Sequence, residues 1–433
     1  MGSSDSALLL PPASGAWFET DPVGRRKFFE GGPLKLEAGG ELGQFTLAYE
    51  TWGELNEDGS NAVLILHALT GDSHLSGDVG PGHPTSGWWT DLIGSGAPID
   101  TDRYFVVAPN ILGGCQGSTG PASLRPGASS SSSDSSSTKA RWGGDFPFVT
   151  IRDTVAAEAH LADALGIGTW QMVIGGSLGG MRALEWAAMF PNRVAKLVPV
   201  ATTAATTADQ IAWAHTQLAA IVSDPGFNGG DYYGAAPGEG PTTGLGIARQ
   251  IAHTTYRSAP ELETRFGANA QGGENPWSGG RYAVQSYLQH QGGKFVYRFD
   301  ANSYKVLTEL FMAHDLGRGR GGLDAGLASI TAQTLVVAVD SDRLCLPEAS
   351  EVIARGVPNC VGVRTVRSHR GHDGFLIEFE QFGPLLREFL EGRVVAAPCG
   401  AAVARTRWSR RVGNATRMWK QVPQHAPVGA TLL

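Results

Sequence analysis

Two hydrophobic rhythms divide this chain. In the first, short continuous apolar runs stand between turn residues, at 62–66, 104–108, 170–174, 194–200, 334–339 and 361–366. Runs of this length without polar alternation predict strands buried on both faces, as in a parallel sheet. The segment 34–47 alternates and predicts an opening hairpin. The second rhythm has a period near 3.6. It predicts helices over 150–165, 178–190 and 376–390 beside the strands, and over 206–223, 245–257, 282–291 and 304–314 where the strand pattern disappears. Glycine pairs such as Gly229-Gly230 and Gly292-Gly293 separate members of that last group. Strands alternating with helices, interrupted by a helical block, predict an α/β fold with an inserted helical cap.

This pattern divides the chain into five parts. Residues 1–30 read as a loosely ordered N-terminal segment, 31–204 as the first part of the core, 205–325 as the cap and 326–392 as the second part of the core. A nearly pure serine tract, 128–138, reads as a low-complexity loop, because serine has no apolar surface to bury. The tail 393–433 holds seven Arg or Lys and no Asp or Glu, lacks periodicity, and reads as a disordered extension.

The most specific local signal joins the two rhythms. The apolar run at 170–174 passes through Gly175-Gly176-Ser177-Leu178-Gly179 directly into a helical pattern carried by Met181, Leu184, Ala187 and Phe190, which Pro191 stops. G-x-S-x-G between a strand and a helix is the nucleophile elbow of α/β hydrolases. The sharp turn crowds its neighbours, so small residues flank a serine whose hydroxyl is held clear of the sheet. Ser177 is therefore the candidate nucleophile. The chain order in this fold is serine, then a carboxylate, then histidine. The run 334–339 ends in Asp340-Ser341-Asp342, and both aspartates qualify by position. Beyond 361–366 lie His369 and Gly371-His372-Asp373-Gly374. His372 is the better base, because Gly371 permits a close approach there. An oxyanion hole needs two backbone N–H groups: Leu178 after the nucleophile, and Leu69 in the loop His67-Ala68-Leu69-Thr70-Gly71 after the early strand.

Composition narrows the surroundings of this chemistry. The 433 residues are 42% hydrophobic and 17% charged, ordinary for a globular enzyme. A formal charge of −7 argues against general nucleic-acid binding. No apolar run approaches the roughly 18 residues of a membrane span, and no secretory signal pattern opens the chain. Four scattered cysteines show neither metal-type pairing nor a disulfide framework, which suits a reducing cytoplasm.

Together these residues resemble the homoserine O-acetyltransferase family, the methionine-pathway branch of the α/β-hydrolase fold. The resemblance is carried by 67–74, by Gly113-Gly114-Cys115-Gln116-Gly117-Ser118-Thr119-Gly120-Pro121, and by 175–186. It continues through Ala248-Arg249, Thr255-Tyr256-Arg257-Ser258, Arg298-Phe299-Asp300-Ala301-Asn302, His314-Asp315-Leu316 and 371–376. It implies Ser177 as nucleophile, His372 as base and Asp342, second residue of the family's S-D-x-L stretch, as the group that orients the histidine. It further implies that Arg249 and Tyr256 reach from the cap to a substrate carboxylate, that Asp373 receives its amino group, and that Thr70 is a polar contact beside the oxyanion loop. A zwitterionic substrate such as L-homoserine needs such a cation and anion.

The implied activity is acetyl transfer from acetyl-CoA, a co-substrate, with no bound cofactor and no metal. The implied setting is a cytoplasmic homodimer acting on small molecules, without nucleic-acid or membrane partners. Two positions depart from the family pattern: Leu218 stands where many members have arginine, and Arg182 replaces a frequent glutamine. The alternatives are the same scaffold with succinyl-CoA or serine, a plain esterase, and a catalytically silent binding protein.

Overall fold

The buried apolar runs assemble into one eight-stranded sheet. Its strands are β1 (Lys27–Gly31), β2 (Phe45–Trp52), β3 (Ala62–Leu66), β4 (Phe105–Pro109), β5 (Met172–Gly176), β6 (Lys196–Val200), β7 (Gln333–Val339) and β8 (Cys360–Val366). Their spatial order is β1-β2-β4-β3-β5-β6-β7-β8. β2 runs antiparallel to both of its neighbours, and from β4 onward every pairing is parallel. The computed structural model describes residues 10–127 and 140–394; the serine tract and nearly all of the basic tail lie outside the described residues.

Side chains on β3 and β5 explain the unbroken apolar runs. Successive residues of a strand face opposite sides. Leu64, Leu66 and Val173 enter the core on one side of the sheet, and Val63, Ile65, Met172 and Ile174 enter the core on the other. Helices α1 (Ile151–Ala164) and α2 (Leu178–Met189) cover the first side, and α10 (Phe379–Leu390) contributes Phe382, Leu386 and Phe389 to the second. A capping box of Thr150 and Asp153 starts α1.

Between β6 and β7 stand α3 (Ala208–Val222), α4 (Thr242–Tyr256), α5 (Ala259–Phe266), α6 (Ala283–Phe295), α7 (Ala301–Met312) and the short α8 (Leu323–Ala328). α4 packs against both α3 and α6. The remaining helix, α9 (Pro347–Gly356), joins β7 to β8. The helices α5 and α8, at 8 and 6 residues, are too short to show a periodic signal in sequence. The N-terminal segment also differs from expectation, because Lys27–Gly31 is a strand that pairs with β2. The opening hairpin is only Leu34–Lys35 against Glu41–Leu42, and Phe45–Trp52 belongs to the main sheet. The last helix begins at Phe379, because Gly371–Leu376 winds as a tighter 3₁₀ turn.

Arg182 has a structural role. It is fully buried on α2 and paired with Glu158 of α1, whose second oxygen accepts from Trp186 Nε1 at 2.7 Å. Glu158→Gln keeps the shape but leaves the guanidinium without its counter-charge. Losing one partner of a buried pair costs about 3–5 kcal/mol. The expected result is a large drop in the denaturation midpoint, read by calorimetry; an unchanged midpoint contradicts this role.

Candidate active site

Ser177 occupies the turn between β5 and α2 with φ +56° and ψ −122°. A positive φ is rare outside glycine and marks backbone held under strain by its surroundings. Here the constraints are visible. The Ser177 N–H donates to Val200 O at 2.9 Å, and Thr202 Oγ1 donates to Ser177 O at 2.7 Å. A Cβ on Gly179 would lie 2.0 Å from Leu66 O and 2.9 Å from His67 O, so glycine lets the start of α2 press against the loop after β3. That contact brings Leu178 and the 67–71 loop together. Neither the Leu178 N–H nor the Leu69 N–H is taken by another group among the described residues.

His372 sits in the 3₁₀ turn after β8, 3% exposed. Its Nδ1 lies 2.6 Å from Asp342 Oδ2. The other oxygen of Asp342 accepts from the N–H groups of Leu344 and Cys345 at 2.8 and 2.9 Å. Asp340, equally placed in sequence, accepts instead from the Ser368 N–H at 2.9 Å and so ties the end of β7 to β8. His369 is exposed, and only its carbonyl is engaged, by Ser258 Oγ. The His372 ring meets Phe375 edge-on at 5.5 Å, and Phe375 fills the space above Gly176, where a Cβ would be 2.3 Å away. The Phe375 ring thus links His372 to Gly176, the residue before the elbow serine. Ser177 Oγ itself carries no hydrogen bond among the described residues; catalytic contacts of this kind tighten on substrate binding.

Burial opposes charge on His372, but the neighbouring carboxylate of Asp342, its hydrogen bond and Asp373 outweigh it and raise the pKa above 6.5. Burial likewise pushes the Asp373 carboxyl up, against the pull of Arg257, His372 and Arg249. Asp373 Oδ2 pairs with Arg257 Nη2 at 3.3 Å. That arginine was not singled out from sequence. Arg249, on α4, donates to Thr70 Oγ1 at 3.3 Å and lies over the rings of Tyr256 and Phe295, at 5.4 and 4.6 Å. Tyr256 in turn faces the His372 ring at 6.0 Å. The sequence-derived residues Ser177, Asp342, His372, Leu69, Leu178, Thr70, Arg249, Tyr256 and Asp373 therefore gather where the cap meets the C-terminal ends of β3, β5, β7 and β8.

His67 was not assigned a role from sequence. Burial holds its pKa down to about 3, so it is neutral. Its Nε2 accepts from the Ile111 N–H at 3.0 Å, which leaves Nδ1–H to donate to Ala68 O at 2.7 Å. The signal available in sequence was a histidine placed at the end of a buried strand. Cap residue Gln210 was missed too; its Nε2 donates to Leu344 O at 2.9 Å and steadies the Asp342 loop.

Among the described residues, Glu50, His74 and His83 form the one cluster with ligand-like spacing. Its geometry does not suit a metal. The two rings stack at 3.8 Å and 13°, and parallel planes cannot both contain one ion. His83 Nε2 already accepts from the Arg25 N–H at 2.9 Å. Burial disfavours charge on His74, yet the hydrogen bond and charge of Glu50 raise its pKa, while burial and His74 lower that of His83 to about 4.

Comparison with known proteins bears on the fold and the family. A family model described as the alpha/beta hydrolase fold matches residues 61–379. A homoserine O-acetyltransferase of Thermobifida fusca (strain YX) is 56% identical over 380 residues, covering 88% of this chain and 97% of that protein. The chain belongs to the homoserine O-acetyltransferase family. The crystal structure of the homoserine O-acetyltransferase from Bacillus anthracis superposes with a TM-score of 0.76 at 26% identity, covering 86% of this chain and 99% of that one. Esterase E22 superposes with a TM-score of 0.73 at 26% identity, over 84% of this chain and 99% of its own. Members of the homoserine O-acetyltransferase family and an esterase thus share this scaffold.

Proposed function

We propose that this protein transfers the acetyl group of acetyl-CoA to the hydroxyl of L-homoserine through an acetyl-Ser177 intermediate. The observation that carries the mechanism is the buried Asp342–His372 pair at 2.6 Å, linked through Phe375 to the turn that holds Ser177 at φ +56°. His372 takes the Ser177 proton as the serine oxygen attacks the thioester carbonyl. The N–H groups of Leu178 and Leu69 hold the oxyanion. Coenzyme A leaves, taking the proton from His372. L-Homoserine then enters, its carboxylate toward Arg249 and Tyr256 and its ammonium toward Asp373. His372 removes its hydroxyl proton, the oxygen attacks the acetyl-serine, and the Ser177 oxygen recovers a proton as O-acetyl-L-homoserine forms. Every step uses side chains and backbone N–H groups of this chain, with acetyl-CoA as co-substrate.

A cytoplasmic homodimer is part of this reading. The buried unpaired thiols of Cys115 and Cys345 support a reducing compartment. Ile211 and Val222 on α3 and Ile247 on α4, all exposed, are apolar positions that a second copy would cover. No helix among the described residues is long and apolar enough to cross a membrane.

The test is coenzyme A release with acetyl-CoA or succinyl-CoA, each with and without L-homoserine or L-serine. Fast release that requires both acetyl-CoA and L-homoserine is expected. Release indifferent to any amino acid makes the protein a hydrolase, as its likeness to esterase E22 allows. A preference for succinyl-CoA or serine moves it to a sister activity.

A further inference from the structure

We propose that Arg298 is a positioning residue that sets the oxyanion turn from the cap. The inference rests on the reading of Leu69 as an oxyanion donor. Arg298 lies between α6 and α7. Its Nη1 donates to the Thr70 carbonyl at 2.9 Å, and its Nη2 meets Asp72 Oδ2 at 3.2 Å. The backbone behind it is fixed: the Arg298 carbonyl accepts from Gln116 Nε2 at 2.9 Å, and the next carbonyl, of Phe299, accepts from the Gly15 N–H at 3.2 Å. Asp72 is anchored on the core side, where Oδ1 accepts from the His74 N–H at 2.9 Å and its carbonyl accepts from Trp88 Nε1 at 3.0 Å. The guanidinium therefore bridges the cap and the loop after β3.

The target of that bridge is a four-residue turn. Gly71 N–H closes it onto Ala68 O at 2.9 Å, and His67 Nδ1–H holds the same oxygen. In a trans peptide the N–H points opposite to the C=O. Fixing Ala68 O therefore aims the Leu69 N–H the other way, toward the open site. Among the described residues, the Thr70 carbonyl on the far side has no partner inside the turn. Thr70 O is held by Arg298 and Thr70 Oγ1 by Arg249, both from the cap. Without Arg298 the Thr70–Gly71 peptide keeps only its Gly71 N–H hold on Ala68 O; loosening that peptide weakens one of the two bonds that fix Ala68 O, and with it the aim of the Leu69 N–H. Arg298 touches no reacting atom, so its effect passes through the turn.

The test uses the full chain with Arg298→Met, Arg298→Lys and Asp72→Asn. Two readouts isolate the oxyanion hole: the burst of p-nitrophenol from p-nitrophenyl acetate, which needs no acceptor, and inhibition by methylboronic acid, whose tetrahedral serine adduct places an oxygen in the hole. Displacing a catalytic group by a fraction of an ångström to one ångström costs about 10- to 100-fold. Arg298→Met is expected to lower acylation and boronate affinity by the same factor in that range. The KM for L-homoserine is expected to stay near wild type, while the thermal midpoint falls because Asp72 loses its counter-charge. Arg298→Lys recovers part of the loss, because an ammonium still reaches one acceptor, and Asp72→Asn falls between. Unchanged boronate affinity in Arg298→Met overturns the inference. If that variant does not fold, unchanged affinity in both other variants overturns it. A wild-type chain that neither gives a burst nor binds the boronate removes the reading of Ser177 and Leu69 itself, and the inference with it.

Discussion

Ser177→Ala is expected to reduce acetyl transfer by about 10⁴- to 10⁶-fold, leaving what substrate binding and the oxyanion donors supply alone. The reason is chemical rather than structural. Without the hydroxyl no acetyl-enzyme forms, and the reaction loses the intermediate that links its two half-reactions. Alanine keeps the Cβ at φ +56° and leaves both backbone hydrogen bonds of residue 177 in place, so the fold is expected to survive. Mass spectrometry of the intact protein and of its proteolytic peptides after exposure to acetyl-CoA gives the sharper measurement. Wild type is expected to carry one acetyl group on the peptide containing Ser177, and the variant none. A variant that retains substantial transferase activity rules out the covalent mechanism.

Asp342→Asn is expected to cost about 10⁴-fold, for a reason particular to this loop. One oxygen of Asp342 accepts from two backbone N–H groups, those of Leu344 and Cys345. An asparagine must keep its carbonyl oxygen there, which turns its NH₂ toward His372 Nδ1. The ring nitrogen must then accept, and the proton moves to Nε2, the tautomer unable to deprotonate Ser177. The pH profile gives a second readout. A general base must be neutral, so kcat/KM falls as pH drops through the histidine pKa. Burial works against charge on His372, but Asp342 and then Asp373 raise its pKa, which puts the wild-type acid limb above 6.5. Removing the Asp342 charge is expected to move that limb to lower pH while the plateau collapses. A loss of less than 10-fold with an unmoved limb would falsify the role of Asp342.

The site and its scaffold were legible in the sequence to different depths. The elbow was plain, because strand, glycines, serine and helix follow one another without a gap. In the sequence Gly371 favours His372 over His369, and the structure gives that glycine a reason. At φ +68°, a Cβ there would sit 2.5 Å from Tyr256 O of the cap. Asp340 and Asp342 were equivalent by position, and resemblance alone separated them. Hydrogen bonding separates them physically, since Asp340 is occupied by the Ser368 N–H and Asp342 keeps an oxygen for His372.

What the sequence by itself determined is local. Unbroken apolar runs mark strands covered on both faces, a 3.6 period marks the long helices, and steric crowding around one serine marks the nucleophile. These signals survive because each depends on residues a few positions apart. Tertiary structure alone decided how distant segments meet. It turned β2 antiparallel, paired Arg257 with Asp373, aimed the Leu69 N–H through His67, and set Arg298 across Thr70 and Asp72, more than two hundred residues away in the chain. Hydrogen-bond partners of this kind leave no periodic trace, because direction and distance between such groups exist only once the sheet has closed and the cap has settled on its edge.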